Sequence, residues 1–282
     1  MPSPGDIAYA PNISWLLPEL PSGERPHVLA HAGFGAIEFG FPSQVDVEAV
    51  DEARQEYGLE VALFNQDIPV WDRRNRGYLS DPSRREEFRR RLDEALVLAR
   101  RLRAGCVMLP AGVELPGMDR ARQHDLVLEN LREAAPLAAD AGVRLTVEVI
   151  NPTDHPGYFL TSSREALEIV QQVGHPNVRF QFDTYHLFMV EGGLPELFAR
   201  CAPWVGHIQF GDHPARCQPG TGTIDFSTVL EAIGASGYRG YIGLEFVPRD
   251  AGLAALAWVP ESMRQRAASR NAHIPDHTEK PT

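Results

Sequence analysis

The sequence predicts an α/β fold, a single (β/α)8 barrel with a short C-terminal extension. Three observations predict it. Short β-rich apolar runs alternate with longer runs of helical period, the strand candidates number eight, and the alternation continues to about Phe246 without a low-complexity break. Eight alternations in about 250 residues match a closed barrel in count and length. A doubly wound sheet would carry fewer strands and a glycine-rich phosphate turn, and no GxGxxG or GxxxxGK[ST] stands at a strand-to-helix junction.

In chain order, strands are expected at residues 12–16, 36–39, 61–65, 106–110, 145–150, 180–183, 206–210 and 241–246. Helices are expected at 47–57, 86–102, 123–141, 163–173, 194–200 and 227–236. The clearest is 86–102, where Phe88, Leu92, Ala95, Leu96, Ala99 and Leu102 recur at three- and four-residue steps and form one apolar stripe. Pro136 is an awkward residue inside the helix at 123–141. The run from Thr161 to Glu165 resembles a helix start, and Asp225 suits an N-cap before Phe226. The longest irregular connection, residues 66–83, follows the third strand and carries Trp71, Arg73, Arg74, Arg76 and Tyr78; long loops in compact domains tend to be lids or binding loops. After Val247 only 251–258 reads as helical. Residues 1–266 are thus one catalytic domain, and 267–282 a polar, flexible tail.

With 43% hydrophobic and 23% charged residues the chain can bury a sizeable core. A net charge of −11 argues against an electrostatic grip on nucleic acid or on an anionic membrane, leaving small molecules as the expected partners. Acidic residues interleave the one basic run, Arg84 to Arg91, as on a solvated helix face. The three cysteines, Cys106, Cys201 and Cys217, are too scattered for a disulfide framework or a zinc knuckle. No signal core or membrane-length apolar run is present, so the cytoplasm is the expected location. A homodimer through the barrel helices stays open.

Barrel enzymes carry their chemistry at the C-terminal ends of strands. There the strands LTVEVIN, RFQFD, GHIQF and YIGLEF present Glu148, Asp183, Gln209 and Glu245, oxygen donors in otherwise apolar runs. Three carboxylates at one mouth repel unless a cation neutralises them, and an oxygen-rich set suits Mg2+ or Mn2+. Separate pairing of each carboxylate with an arginine or a backbone amide is the structural alternative. His186, His207, Arg216, Glu38, Asn65 and Gln66 fall where a substrate pocket would lie, and Arg216 and Arg76 are suited to clamping a carboxylate or phosphate. His207 alternates with Gln209 and so points inward with it.

At these strand ends the chain resembles the xylose isomerase-like TIM-barrel superfamily, and within it the hydroxypyruvate isomerase family. The matching segments are AGFGAIEFGFP (32–42), LEVALFN (59–65), RGYLSDPSRREEF (76–88), EVINPTDHPGYFL (148–160), FQFDTYH (180–186), HIQFGDHPARCQPGTGTIDF (207–226) and GYRGYIGLEFVPR (237–249). Glutamine at the third ligand position is similar to that family, where sugar epimerases have histidine. The loop WDRRN (71–75) and the pair Phe210–Gly211 depart from it.

The resemblance implies metal ligation by Glu148, Asp183, Gln209 and Glu245, substrate contacts from His186 and Arg216, and proton transfer by Glu148 and Glu245. It implies an aldehyde–ketone isomerase acting through an enediolate on a small 2-oxo-3-hydroxy acid such as hydroxypyruvate, giving tartronate semialdehyde without a nucleotide cofactor. The alternatives are a ketose 3-epimerase, a 2-oxo-tetronate-type isomerase and, from another class, an idle barrel that binds a metabolite or a partner.

Overall fold

The computed structural model describes residues 7–265, which form an eight-stranded parallel barrel ringed by helices. The strands are β1 Ala8–Pro11, β2 Ala36–Phe39, β3 Glu60–Asn65, β4 Cys106–Met108, β5 Arg144–Glu148, β6 Val178–Asp183, β7 Val205–Phe210 and β8 Tyr241–Leu244. Consecutive strands from β2 to β8 pair in parallel, and β1 pairs with β8. The seam between β1 and β2 is closed by a single parallel bridge, Asn12 to Glu38, where the Ile13 N–H donates to the Glu38 carbonyl at 2.9 Å. The helices are α1 Arg25–His31, α2 Val47–Tyr57, α3 Arg85–Leu102, α4 Arg120–Asp140, α5 Ser163–Val173, α6 Thr184–Val190, α7 Leu194–Cys201 and α8 Phe226–Ala235.

Seven strands lie where expected; the first lies one segment earlier. The Asn12 carboxamide oxygen accepts the Ser14 N–H at 3.0 Å, and its carbonyl accepts from Leu16 at 2.9 Å, so the chain turns at residue 12. Ile13, Leu16 and Leu17 are apolar because that turn is buried. Two short helices were not expected. In α1 only Pro26 and Leu29 are buried, and α6 starts directly after β6, with its first four residues all buried, so neither shows an amphipathic period.

The stripe of α3 is buried as predicted, and α4 runs through Pro136. The basic face of α3 is paired: Arg84 with Glu87, Arg85 and Arg89 with Glu133, Arg90 with Glu94, Arg91 with Asp67. Asp225 caps α8 through the Ser227 and Thr228 amides. At α5 the Glu191 carboxylate supplies the cap instead, accepting from the Ser163 N–H and hydroxyl at 2.8 Å each. The expected helix at 251–258 is a 3-10 turn, Gly252–Leu256. The tail at 267–282 lies outside the described residues. Among those described, no helix is long and apolar enough to cross a membrane.

Strand alternation divides the barrel interior. On the β3–β4 side Leu63, Cys106 and Met108 form an apolar cluster. From β5 round to β2, polar side chains occupy the interior: Thr146, Gln181, His207, Glu38 and Asn12 are all buried. Gly243 makes room for them, since a Cβ there would collide with the Glu38 carboxylate.

Candidate active site

Two residues further along β5, β6 and β7, at the C-terminal mouth, stand Glu148, Asp183 and Gln209, and Glu245 follows the last residue of β8. Below them a chain of hydrogen bonds fixes their orientation. Thr146 Oγ1 donates to Gln181 Oε1 at 2.8 Å, and Gln181 Nε2 donates to Gln209 Oε1 at 2.7 Å. Gln209 Nε2 then donates to both Glu38, at 2.8 Å, and Glu245, at 2.5 Å. Asn12 Nδ2 bridges the same two carboxylates at 3.0 and 3.2 Å, and His207 Nε2 lies 2.7 Å from the second Glu38 oxygen. Glu38 and His207 therefore form a floor beneath the mouth, while Gln66 faces outward and donates to the Phe88 carbonyl of α3 at 3.4 Å.

Arg216 reaches the mouth from the loop after β7. Its Nη2 lies 2.6 Å from Asp183 and 2.9 Å from Glu245, and its Nη1 lies 2.7 Å from His186 Nε2. Ala215 and Arg216 both adopt left-handed backbone, φ 59° and 54°, which side chains with a Cβ seldom do. Paired amide–carbonyl bonds between Asp212 and Cys217, at 2.8 and 2.9 Å, hold that turn. The Asp212 carboxylate anchors the rest of the loop, accepting the amides of His213, Gly220, Gly222 and Ile224. The trace thus aims Arg216 at the carboxylates, beneath the ring of Trp15 at 5.4 Å.

Burial, then mutual repulsion, sets the electrostatics. The Glu148 carboxyl is pushed well above its ordinary value by burial and by the charges of Asp183 and Glu245. Burial raises Asp183, against the opposing pull of Arg216. Glu245 is pushed up to about 7, chiefly by burial and despite Arg216. Burial works against the Arg216 charge, but Asp183, Glu245 and Glu148 outweigh it and its pKa rises. Burial, with Arg216 alongside, holds His186 far below the usual histidine range.

When all three are ionised, the carboxylates exceed the one guanidinium by two negative charges, which a divalent cation would neutralise. Glu148, Asp183 and His186 each offer a ligand atom, all within 4.8 Å of one another. Among the described residues no side chain hydrogen-bonds to the Glu148 carboxylate, which leaves it available as a donor. Gln209 presents its amide nitrogen to the carboxylates and its oxygen to Gln181, so it would ligate through oxygen only after rotating its amide by about 180°. The carboxylates and His186 fit a hard divalent cation; Gln209, in this rotamer, orients Glu245.

Asn65 ends β3 at the mouth, partly buried, with its carboxamide oxygen unpartnered. Arg76 lies beside the ends of β4 and β5, where its Nη1 donates to the Pro156 carbonyl at 2.8 Å. Sequence reading missed Asn12, Thr146, Gln181 and Asp212. Thr146 and Gln181 lie two residues before Glu148 and Asp183, so alternation from the predicted ligands could have found them.

A parallel barrel with convergent carboxylates at its C-terminal mouth is the arrangement of a barrel enzyme, whose chemistry sits at that face. Residues 26–266 match the model of the family described as xylose isomerase-like TIM barrel, and the chain belongs to that family. It is 33% identical over 253 residues to the hydroxypyruvate isomerase of Escherichia coli (strain K12), covering 90% of this chain and 98% of that one. It is 35% identical over 251 residues to the 2-oxo-tetronate isomerase of Cupriavidus necator, covering 89% and 96%. Among solved structures, one titled AP endonuclease, family 2, from Brucella melitensis superposes with a TM-score of 0.84 at 32% identity, covering 92% of this chain and 98% of that one. The curated relatives make this an isomerase, hydroxypyruvate isomerase-like in sequence.

Proposed function

We propose that the protein interconverts hydroxypyruvate and tartronate semialdehyde, using Glu148 and Glu245 to move a proton between adjacent carbons. The observation that carries this reading is the placement of these two carboxylates at the ends of β5 and β8, across the barrel mouth from each other, with Asp183 and Arg216 between them. A divalent cation, Mg2+ or Mn2+, held by Glu148, Asp183, Glu245 and either His186 or a rotated Gln209, would polarise the substrate's oxygens.

One glutamate takes the C3–H proton of hydroxypyruvate, and the other, as a carboxylic acid on the opposite face, serves as the proton donor. The resulting enediol exchanges hydroxyl protons between O3 and O2, and a carboxyl returns a proton to C2, leaving an aldehyde at C3 and a hydroxyl at C2. Atoms balance without an oxidant or reductant. Arg216 fixes Asp183 and Glu245 and offers Nη1 toward His186, which lines the same wall. Asn12 and Gln209 hold Glu245 from below, each donating to Glu38 as well.

The four-carbon 2-oxo-tetronate is the second reading, favoured by the 35% identity to the enzyme of that name. An endonuclease role is disfavoured by the net charge of −11 and by the ion-paired arginines of α3, which leave no basic face there for a phosphate backbone. The test is product analysis with Mn2+ present, offering hydroxypyruvate, 2-oxo-tetronate and D-fructose. Tartronate semialdehyde from the first supports the proposal; turnover of the four-carbon acid alone, or of the neutral ketose alone, replaces it.

A further inference from the structure

Arg216 and Arg76 were both expected to suit an acid group, yet the charge of Arg216 is already committed to Asp183 and Glu245. A different cation at the mouth is uncommitted. Arg76 is 5% exposed, forms no ion pair among the described residues, and makes one hydrogen bond, from Nη1 to the Pro156 carbonyl. Its Nε is buried without any partner. A guanidinium buried in this state is costly unless an anion answers it.

Neighbouring carboxylates are engaged elsewhere. Asp154 accepts from the Tyr185 hydroxyl at 2.6 Å and from Asn151 at 3.1 Å; Asp72 accepts the backbone amides of Arg74 and Asn75. The position of Arg76 is built into the fold. The next residue, Gly77, has φ 127°, and a Cβ there would collide with the Pro110 carbonyl, so only glycine lets the loop lie against the end of β4. From Arg76 the wall runs through Pro156 and His155, whose ring lies 5.9 Å from Trp71 and 5.9 Å from His186, to Arg216.

Resting on the isomerase reading above, we infer that Arg76 is the receptor for the substrate's carboxylate and sets a preference for hydroxy acids over neutral sugars. The hydroxy-carbonyl end then lies against Glu148, Asp183 and Glu245, and the acid end points toward the β4 side of the mouth. A guanidinium fork matches a planar carboxylate through two parallel hydrogen bonds.

The experiment compares wild type, Arg76→Met and Arg76→Lys, with Mn2+ in D2O, on hydroxypyruvate and on its neutral counterpart dihydroxyacetone. Loss of a buried charge partner is expected to lower the acid-over-neutral preference in kcat/KM by about thirtyfold or more in Arg76→Met, mainly through KM, with partial recovery in Arg76→Lys. Equal losses on both substrates, or an unchanged preference, overturn the assignment. If wild type exchanges neither compound the isomerase reading fails by itself, and calorimetric titration decides the receptor: tartronate binding that is lost in Arg76→Met sustains it. Undiminished tartronate binding, or tighter binding of inorganic phosphate, overturns it.

Discussion

Three groups hold Glu245 at the mouth: Asn12, Gln209 and Arg216 all reach its carboxylate. Replacing Asn12 by alanine removes a donor shared by Glu245 and Glu38 and opens the one-bridge seam of the barrel. It should cost about 1–3 kcal/mol of stability, read by urea denaturation, and lower turnover through a misplaced carboxylate. The buried carboxylates also predict an unusual pH response in metal-free protein. Glu245 titrates near 7, above the ordinary glutamate value of about 4.3, so across that window the folded state binds more protons than the unfolded chain. Stability in chelator should therefore fall as pH rises from about 4.3 to 7, and a divalent cation should flatten that slope. Denaturation midpoints that climb steadily over the window in chelator would count against it. Glu148, Asp183, Gln209 and Glu245 were legible in the sequence because each is polar where an apolar run ends. Asn12 was not, because its value comes from closing β1 onto β2, a contact between residues 26 apart in the chain.

At the scale of elements, the loop after β7 shows what sequence reading can and cannot reach. HIQFGDHPARCQPGTG is recognisable as a motif, but the left-handed turn at Ala215 and Arg216 depends on Asp212 collecting four backbone amides. Asp212→Ala should unfasten the loop, costing about 2–4 kcal/mol with turnover lost in parallel, because bonds to a charged acceptor are the strong ones. Turnover unchanged in that variant would mean that Arg216 is held by its carboxylate partners alone. Period-based reading located α2, α3 and α5 closely, since each buries one stripe, and failed for α1 and α6, whose burial follows no helical period. The first strand was misplaced for the converse reason. Ile13 and Leu16 are apolar on account of a buried turn, and composition alone does not separate a buried turn from a strand.

For the whole molecule, the barrel sets an apolar β3–β4 half against a polar half that runs from β5 through β8 to β2. Eight alternations made the architecture readable, since few folds repeat one unit so often at this length. The polar half brings three buried carboxylates to one mouth against one guanidinium, so metal removal should act on the fold as well as on catalysis. Chelator should lower the thermal midpoint by several degrees, and Mn2+ should restore it in wild type but not in an Asp183→Asn variant, which differential scanning calorimetry can check. The central claim, proton transfer between Glu148 and Glu245, is tested most directly by NMR of hydroxypyruvate incubated with the protein and Mn2+ in D2O, beside the Glu148→Gln, Glu245→Gln double variant. Deuterium appearing on carbon with wild type, and slowed by at least about 10²-fold in the double variant, is the predicted result. Equal incorporation by both proteins would contradict the account.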